Sequence, residues 1–338
     1  MSYPAHVSIV LVNFNGHFDT IECAESLLKS SYKNYKLIVV DNSVDEESIK
    51  FLEAWASGID VGIPTAFPIL AYPHSRKPLD YEIIREDEIE HHVSTDGQIL
   101  FIKALKNEGF AAANNIALKY ILRRNKSDYV WLLNNDTVIE NDTLSCLIDF
   151  FSKQQEKIGI VGSKLLKYFD REFLQAVGGR YNKWFGIVNE IGASQKDEGQ
   201  WDKKNFGFDY VIGASMFVRT AFVRDVGLME QDLFLYYEEV DWAIRGKKKG
   251  WSQGFCPSSK VYHKMGSSIN GVKAENSVIA DFYSARNRIQ IAKKHFPITL
   301  ITLYPSFMIY VINRVKAKQW NRIFLLIKIL INPSMHLK

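Results

Sequence analysis

Two apolar runs near the start of the chain are each followed by a segment with helical periodicity. Residues 7–13 read VSIVLVN, and residues 36–40 form a second such run, which ends in Asp41. Runs that are apolar throughout are typical of strands covered on both faces of a sheet. Helices are predicted over about 19–30 and 46–56, where apolar residues recur at helical spacing. This strand–helix–strand–helix order predicts a parallel sheet with helical crossovers, and therefore an α/β fold.

The same alternation continues along most of the chain. Further strands are predicted at 99–105, 129–133, 158–161 and 210–219, and further helices at 110–124, 141–154, 238–250 and 277–295. Residues 168–209 are rich in glycine and aromatic residues and indicate hairpins and loops. For residues 81–93 the pattern leaves a short helix and a strand both open.

Acidic residues stand at predicted strand ends and helix starts. The apolar run Tyr129–Leu133 stops at Asn134-Asn135-Asp136, and the cluster at 238–241 opens a predicted helix. Ligands of open α/β sheets bind at the carboxyl ends of the strands. A hard divalent cation prefers oxygen ligands, which Asp136 and the neighbouring asparagine carbonyls would supply. The alternatives are an Asn-rich turn and a solvated helix start for the acidic cluster.

Several function classes are excluded by missing motifs. The chain has no G-x-G-x-x-G after its first strand, no G-x-x-x-x-G-K-[ST] and no G-x-S-x-G. A dinucleotide-dependent dehydrogenase, a P-loop enzyme and a serine hydrolase of the α/β type are therefore not expected. The three cysteines are scattered without metal-binding spacing, so we expect free thiols in a reducing compartment. The first ten residues carry no Lys or Arg, so no signal peptide is expected.

The charge is distributed unevenly. Residues 282–338 hold ten of the 42 Lys and Arg residues and none of the 38 acidic ones, which leaves residues 1–281 with a net charge of −6. Such a basic end predicts a partner of opposite charge, either nucleic acid or an anionic membrane. The aromatic patterns of RNA-binding modules are absent, so we expect no nucleic acid as partner.

The end of the chain is also apolar. Residues 298–312 are uncharged but shorter than the ~20 residues that span a bilayer, and residues 321–332 carry one broad apolar face. We therefore predict that residues 297–338 form a basic, amphipathic, helical tail that associates with the membrane surface. The alternative is a pair of helices packed on the enzyme or on a second subunit.

Eight short motifs occur in an order that identifies a family. They are VNFNG (12–16), VVDNS (39–43), NEGFAAANN (107–115), LLNNDT (132–137), IGASMFVR (212–219), FLYYEEVDW (234–242), VYHKMGSS (261–268) and SARNRI (284–289). Together they resemble the family-2 glycosyltransferases, and within these the bacterial rhamnosyltransferase-like branch. The resemblance implies a GT-A fold over residues 1–296, with a nucleotide-binding half to about residue 140 and an acceptor-binding half over about 141–296. It also implies transfer from a nucleotide-sugar donor with inversion, usually with Mg²⁺ or Mn²⁺.

The resemblance also implies roles for individual residues. The nucleotide-sugar site would comprise Asp41 at the base or ribose, Asn13 and Asn15 in the same pocket, Asn107, Gly109 and Asn114 at the diphosphate, and Asn134 and Asn135. Asp136 would be the metal-binding aspartate, and His263 would bind the metal or touch the diphosphate, unless it is only a packed strand histidine. The catalytic base would be Glu239, with Glu238 and Asp241 as further candidates. Arg286 and Asn287 would contact the acceptor or a phosphate, unless they merely solvate a helix. Asp41 alternatively caps the following helix.

Two positions depart from the family's usual pattern. Asn134 stands where an aspartate is usual, so metal binding would depend on the single carboxylate of Asp136. Glu239 stands where the family usually has the catalytic aspartate, and a carboxylate of raised pKa suits the removal of a proton from the acceptor hydroxyl. These departures leave open a catalytically inactive protein that only binds nucleotide sugars.

The sequence thus predicts a glycosyltransferase at the cytoplasmic face of the cell membrane. The expected donor is dTDP-L-rhamnose, and the expected acceptor is a polyprenyl-diphosphate-linked saccharide of a bacterial surface polysaccharide, such as the O-antigen of lipopolysaccharide or a capsule. UDP-galactose, UDP-N-acetylglucosamine and GDP-mannose are the alternative donors.

Overall fold

A computed structural model describes residues 4–93, 97–154, 157–203, 206–265, 278–316 and 318–336. The strands are β1 Val7–Asn13, β2 Tyr35–Asp41, β3 Tyr81–Arg85, β4 Ile99–Lys103, β5 Tyr129–Asn134, β6 Thr137–Ile139, β7 Ile158–Lys167, β8 Leu174–Ala176, β9 Gly179–Asn182, β10 Ile187–Glu190, β11 Ser215–Arg219 and β12 Ser252–His263. The α-helices are α1 His17–Leu28, α2 Glu47–Ser57, α3 Pro68–Ala71, α4 Phe110–Arg124, α5 Thr143–Ser152, α6 Thr220–Val226, α7 Glu238–Lys248, α8 Val278–His295, α9 Leu300–Lys316 and α10 Trp320–Ile331.

One large sheet organises the described part of the chain. Its strand order is β3-β4-β2-β1-β5-β11-β7-β12-β6, and β8 pairs with β7 at the side of this path. The strands from β3 to β5 are all parallel, as the alternating pattern predicts. β11 enters antiparallel between β5 and β7, and β7 and β12 are again parallel. The carboxyl ends of β1, β2, β4 and β5 therefore lie along one edge.

Hydrophobic cores cover both faces of the sheet. Ile21 of α1, Leu52 of α2 and Leu144 of α5 pack with Trp131 and other strand residues on one face. Ile116 of α4, Phe222 of α6 and Trp242 of α7 pack on the other face. Coverage on both sides explains why the parallel strands are apolar throughout instead of alternating.

The sequence patterns differ from the structure at two strands. The predicted strand at 210–219 begins only at Ser215, because Tyr210–Ala214 form a loop whose Tyr210 ring lies directly over Gly179. The 12-residue strand β12 was not predicted, since Pro257 and two serines interrupt its pattern. Ser259 is buried there and hydrogen-bonds to Ser163 on β7. Residues 81–85 form a strand and 86–88 a 3₁₀ turn, which answers the open question at 81–93.

The C-terminal helices pack on the rest of the chain with one face only. Leu303 and Phe307 of α9 and Leu326 and Ile329 of α10 are buried against α8. Arg314 and Arg322 pair with Asp281 of α8. By length and composition alone the 20-residue segment Pro297–Lys316 is apolar enough to cross a membrane, with a mean hydropathy of 1.4 and 17% of it buried. This segment is longer than the uncharged run 298–312, which by itself is too short to span a bilayer.

Candidate active site

Asp41 lies at the end of β2 in a dense hydrogen-bonding cluster. Asn13 Nδ2 donates to its Oδ1 at 2.7 Å, Ser43 Oγ donates to the same oxygen at 2.6 Å, and Lys103 Nζ lies 2.8 Å from Oδ2. Helix α2 starts only at Glu47 and has no side-chain cap, so the alternative that Asp41 caps it is wrong. Lys103 was missed by sequence reasoning, because only the pairing of β2 with β4 brings it beside Asp41.

A second group of polar side chains joins the ends of β1 and β5. The Thr20 hydroxyl donates to Asn13 Oδ1 at 2.9 Å and accepts from Asn135 Nδ2 at 2.9 Å. Asn15 is exposed and has a left-handed backbone with φ of 52°. Asn13 and Asn135 are thus held rigidly, whereas the Asn15 side chain faces solvent beside them.

The loop before α4 contacts both the polar cluster around Asp41 and the loop before α7. The cleft lies between these two regions. Asn107 Oδ1 accepts hydrogen bonds from Asn42 Nδ2 at 2.9 Å and from Gly109 N at 3.0 Å. Gly109 has φ of +91°, and a Cβ there would lie 2.2 Å from the carbonyl oxygen of Phe234. Asn114 is buried one turn into α4, where its Nδ2 donates to Phe110 O at 3.0 Å.

Asp136 and His263 meet where β5 and β12 end. His263 Nε2 lies 3.0 Å from Asp136 Oδ1 and 3.3 Å from Asn134 Nδ2. Asn134 Oδ1 is buried without a hydrogen-bond partner among the described residues. An unpartnered amide oxygen, a carboxylate and an imidazole suit a divalent cation such as Mg²⁺ or Mn²⁺. Within the described ranges no group of three or more His, Cys, Asp or Glu residues is arranged to hold a metal ion, so other ligands would have to complete the coordination.

The pKa of His263 also depends on the carboxylate of Glu190, a residue that belongs to none of the eight motifs. Burial alone would lower the pKa of His263, but the Asp136 carboxylate beside it and the charge of Glu190 outweigh burial and raise the pKa. Glu190 ends β10 and comes from the glycine-rich hairpin region, which carries no pattern that would single it out.

The loop before α7 holds a strained backbone in place. Phe234, Tyr236 and Tyr237 have positive φ angles of 64°, 69° and 73°, a conformation that costs about 1–3 kcal/mol at each non-glycine residue. Asn287 Nδ2 lies 2.8–2.9 Å from the carbonyl oxygens of three residues of this loop, Leu233, Leu235 and Tyr236. Asn287 therefore stabilises the turn from which Glu238 and Glu239 project.

Arg286 and Asn287 are both buried, so the alternative that they solvate a helix is wrong. The Arg286 guanidinium donates to the main-chain oxygens of Asp232 and Met335, each at 2.8 Å. These donors contact the protein's own backbone. A contact of either residue with the acceptor or a phosphate stays a prediction.

The three carboxylates at the start of α7 have different surroundings. Glu239 is partly exposed, and burial together with the charge of Glu190 raises its pKa to about 7. Glu238 is buried, and one of its oxygens, Oε2, has no partner among the described residues. Burial and the charge of Glu239 raise the pKa of Glu238 well above its ordinary value. The alternative that the acidic cluster is only a solvated helix start is therefore wrong for Glu238 and Glu239.

Asp241 is the exception among the three. It is buried, yet Arg245 Nε lies 2.6 Å away, His295 Nε2 2.7 Å and Lys294 Nζ 2.9 Å. Burial would raise the pKa of Asp241, but the hydrogen bond with His295 and the charges of Arg245 and Lys294 outweigh it and hold the pKa below its ordinary range. The structure therefore argues against Asp241 as the base and gives it a structural role in anchoring α7 to α8.

Because Asp241 and Glu239 have such different surroundings, their substitution is expected to have opposite effects on the free energy of unfolding. Asp241→Asn should destabilise the fold by about 1–3 kcal/mol, because it removes the buried carboxylate that binds Arg245, Lys294 and His295. Glu239→Gln should leave stability unchanged or slightly higher at pH 8, because it removes a partly buried charge. Thermal unfolding of both variants measures this, and equal melting temperatures would contradict the assignment of Asp241.

Comparison with known proteins agrees with this geometry. The model of a family described as "Glycosyltransferase like family 2" matches residues 87–277. The chain is 25% identical over 228 residues to the dTDP-rhamnosyl transferase RfbF of Shigella flexneri, covering 64% of this chain and 71% of that protein. It is 22% identical over 259 residues to the low-salt glycan biosynthesis hexosyltransferase Agl10 of Haloferax volcanii, covering 77% and 76%.

Two solved structures have the same fold. One is GalNAc-T7 with UDP, GalNAc and Mn²⁺, with a TM-score of 0.57 and 13% identity over 86% of this chain. This chain spans about half, 48%, of the length of that protein. The other is the mannosyltransferase PcManGT from Pyrobaculum calidifontis in complex with GDP-Man and Mn²⁺, with a TM-score of 0.53, 14% identity, and coverage of 98% of this chain and 83% of that one. The predicted GT-A fold is thereby confirmed.

Proposed function

Because the chain belongs to glycosyltransferase family 2, we propose that it is an inverting, metal-dependent glycosyltransferase that extends a lipid-linked saccharide. The observation that carries this proposal is the arrangement at the edge of the sheet. Asn134 Oδ1, which has no hydrogen-bond partner among the described residues, lies with Asp136 and His263 on one side. The partly exposed Glu239, with its pKa near neutrality, lies at the start of α7 on the other side.

The residues divide into two tasks. Asp136, His263 and Asn134 would hold Mg²⁺ or Mn²⁺, which when bound neutralises the charge that develops on the leaving diphosphate. Glu239 accepts the proton of the acceptor hydroxyl as that oxygen attacks the anomeric carbon opposite the leaving group. Burial, to which the negative charge of Glu190 adds, raises the pKa of Glu239 to about 7 and makes it a stronger base. Asp41, Asn13 and Lys103 bind and orient the nucleoside.

We propose dTDP-L-rhamnose as donor and a bacterial surface polysaccharide, O-antigen or capsule, as product. The 25% identity to a dTDP-rhamnosyl transferase supports this donor. UDP- and GDP-sugars remain the alternative, because the solved structures of the same fold contain UDP and GDP-Man. A panel of dTDP-, UDP- and GDP-sugars, tested for Mn²⁺-dependent hydrolysis and for thermal stabilisation, separates the donors. No hydrolysis with a stabilising donor would favour the inactive alternative.

We place the enzyme at the cytoplasmic face of the cell membrane, with its C-terminal helices on the lipid. Large apolar side chains on the outer faces of α9, α10 and the turn before them are exposed: Ile298, Ile301, Met308, Ile309, Ile312, Val315, Trp320, Phe324, Ile327 and Ile331. Such a face fits the boundary between headgroups and acyl chains. A polyprenyl-linked acceptor stays in the bilayer, so an enzyme that uses it has to reach this boundary.

The attraction to anionic lipid is smaller than the sequence suggests. Arg314 and Arg322 pair with Asp281, Lys294 pairs with Glu230 and Asp241, and Arg286 is buried. Four described lysines of the C-terminal region have no acidic partner: Lys293, Lys316, Lys318 and Lys328. At about 1 kcal/mol for each basic residue near the surface, apolar contact contributes at least as much as charge.

The metal site is tested by Asp136→Asn. This variant should lose transfer almost completely while it keeps its fold, because it removes the carboxylate that lies 3.0 Å from His263 Nε2. Activity is measured with saturating donor over a range of Mn²⁺ concentrations, with circular dichroism as a check of folding. Full activity in the variant would contradict the assignment of Asp136.

The base is tested by Glu239→Gln. The rate should fall by about 10²–10⁴-fold with little change in donor affinity. In the wild type, kcat/KM should decline as the pH falls below about 7, because Glu239 then takes up a proton and no longer accepts one. The variant should lack this limb of the pH profile. If Glu238→Gln is the inactive variant instead, the base is the neighbouring residue.

The membrane face is tested by substitution rather than truncation, since truncation would expose the core around Leu303 and Phe307. Ile301 and Ile309 are 71% and 65% exposed, and changing both to Gln should reduce binding to vesicles about 10-fold or more. Ile69→Gln is the matched control, because Ile69 is 86% exposed on α3. Donor hydrolysis should stay unchanged. Equal sedimentation of all variants with vesicles would contradict this face.

A further inference from the structure

We propose that a cavity at the amino-terminal ends of β7 and β12 is a second saccharide-binding site, separate from the site of transfer. It is lined by Ile158, the first residue of β7, and by residues 252–255 of β12, and none of its described lining residues belongs to the eight motifs. Its volume of about 490 Å³ is within the range of small-molecule sites, about 300–1,000 Å³. The choice of a saccharide as ligand rests on the proposed function, whereas the shape and chemistry of the cavity do not depend on it.

The cavity lies at a distance from the proposed metal and base. Phe255 of β12 lines it, and His263 stands at the other end of the same strand. Phe255 pairs with Gly162 of β7 and His263 with Lys167, so about 17 Å of strand separates the two residues. Lys247 also lines the cavity and lies in the last turn of α7, whereas the proposed base lies in the first turn. A molecule in the cavity therefore binds outside the site of transfer.

Aromatic rings provide the apolar part of the cavity wall. Six aromatic side chains line it, and all of them are half-buried, so each keeps part of its surface accessible: Phe150, Trp201, Phe206, Phe208, Trp251 and Phe255. The Phe206 ring contacts Trp201 and Phe255 edge to face, with centroid distances of 5.0 and 5.6 Å, and these contacts hold the three rings in place. The face of an aromatic ring carries partial negative charge, so it attracts the C–H groups on the apolar face of a sugar ring.

The polar side chains of the cavity supply mainly hydrogen-bond acceptors. Asp202 and Asp209 are exposed, and an ionised carboxylate accepts hydrogen bonds only. Asp202 is fixed by Lys164, whose Nζ lies 2.7 Å from its Oδ1. Gln253 Nε2 donates to Asp209 O at 2.9 Å, whereas Gln253 Oε1 is buried and has no hydrogen-bond partner among the described residues. These oxygens suit a ligand that brings several donors, as hydroxyl groups do.

A neutral saccharide fits this cavity better than an anion or a lipid chain does. The described lining residues include two carboxylates, Asp202 and Asp209, and one cation, Lys247, so a nucleotide sugar or another anion is disfavoured. A purely apolar molecule would leave the carboxylates and the Gln253 amide without hydrogen bonds. A sugar ring offers apolar faces to the aromatic rings and hydroxyl donors to the oxygens. A glycan held here while its end lies in the site of transfer stays at a high effective concentration beside that site.

The experiment titrates the full chain, labelled with ¹⁵N at its tryptophan side chains, with neutral trisaccharides of L-rhamnose, D-galactose and D-mannose. Trp201 and Trp251 line the cavity, so their indole N–H signals, assigned with Trp201→Phe and Trp251→Phe, should shift when a saccharide binds. Trigalacturonic acid is the anionic probe and should bind more weakly. Trp201→Ala and Gln253→Leu should each weaken binding about 10-fold, because they remove a ring of the wall and an amide acceptor. Phe169→Ala is the matched control, because Phe169 is 79% exposed and does not line the cavity.

Gln253→Leu decides the matter if Trp201→Ala fails to fold, because it replaces the amide by an apolar group of similar size. No shift of either indole signal with any of the neutral trisaccharides at millimolar concentration would overturn the proposal, and so would wild-type affinity in both variants. Stronger binding of trigalacturonic acid than of the neutral probes would also contradict it. Donor hydrolysis should stay unchanged in both variants, because the cavity is separate from the site of transfer. If the wild type hydrolyses no nucleotide sugar, the proposed function fails, while the tryptophan signals still report on the cavity.

Discussion

The main-chain contact between Phe110 and Phe234 is the constraint on which the cleft depends. Phe110 N donates to Phe234 O at 2.8 Å, which joins the loop beside the nucleotide cluster to the loop before α7. Any Cβ at residue 109 would lie 2.2 Å from that oxygen, so only glycine permits the contact. The side chain of Asn287 donates a hydrogen bond to a carbonyl oxygen of the same loop. The nucleotide side and the base side are thus positioned by a single close approach of two backbones.

The cleft also shows how burial alone does not decide the charge of a carboxylate. Glu238, Glu239 and Asp241 lie within one turn of α7, and burial penalises the ionised form of each. Asp241 has Arg245, Lys294 and the His295 ring within 3 Å and stays ionised, whereas among the described residues no cation pairs with Glu238 or Glu239, which repel each other. Only Glu239 is both raised in pKa and partly exposed to the cleft. The partition between structural and chemical roles follows from the neighbouring cations on α7 and α8.

The sequence predicts the part of the fold that local patterns encode. Apolar runs and helical spacing place β1, β2, α4 and α7 within a residue or two, and the motif order leads to Asp41, Asp136, Glu239 and His263. Lys103 and Glu190 could not be found this way. Each reaches the site through long-range pairing: the parallel β2–β4 ladder for Lys103 and the β9–β10 hairpin for Glu190. These residues change the pKa values or fix the positions of neighbouring side chains, and no local spacing in the sequence indicates such a role.

The two faces of α9 connect the proposed membrane surface to the chemistry. Leu303 and Phe307 turn inward to the core of α8, and Ile301 and Ile309 turn outward. Thr302, between these faces, donates to the turn of the hairpin whose far end carries Glu190. The helix that would rest on lipid therefore also holds the hairpin that orients the cleft. If the outward face lies on the bilayer as proposed, the distance of Glu239 from the headgroups would be set by packed helices and not by a flexible linker, which would suit the proposed lipid-linked acceptor.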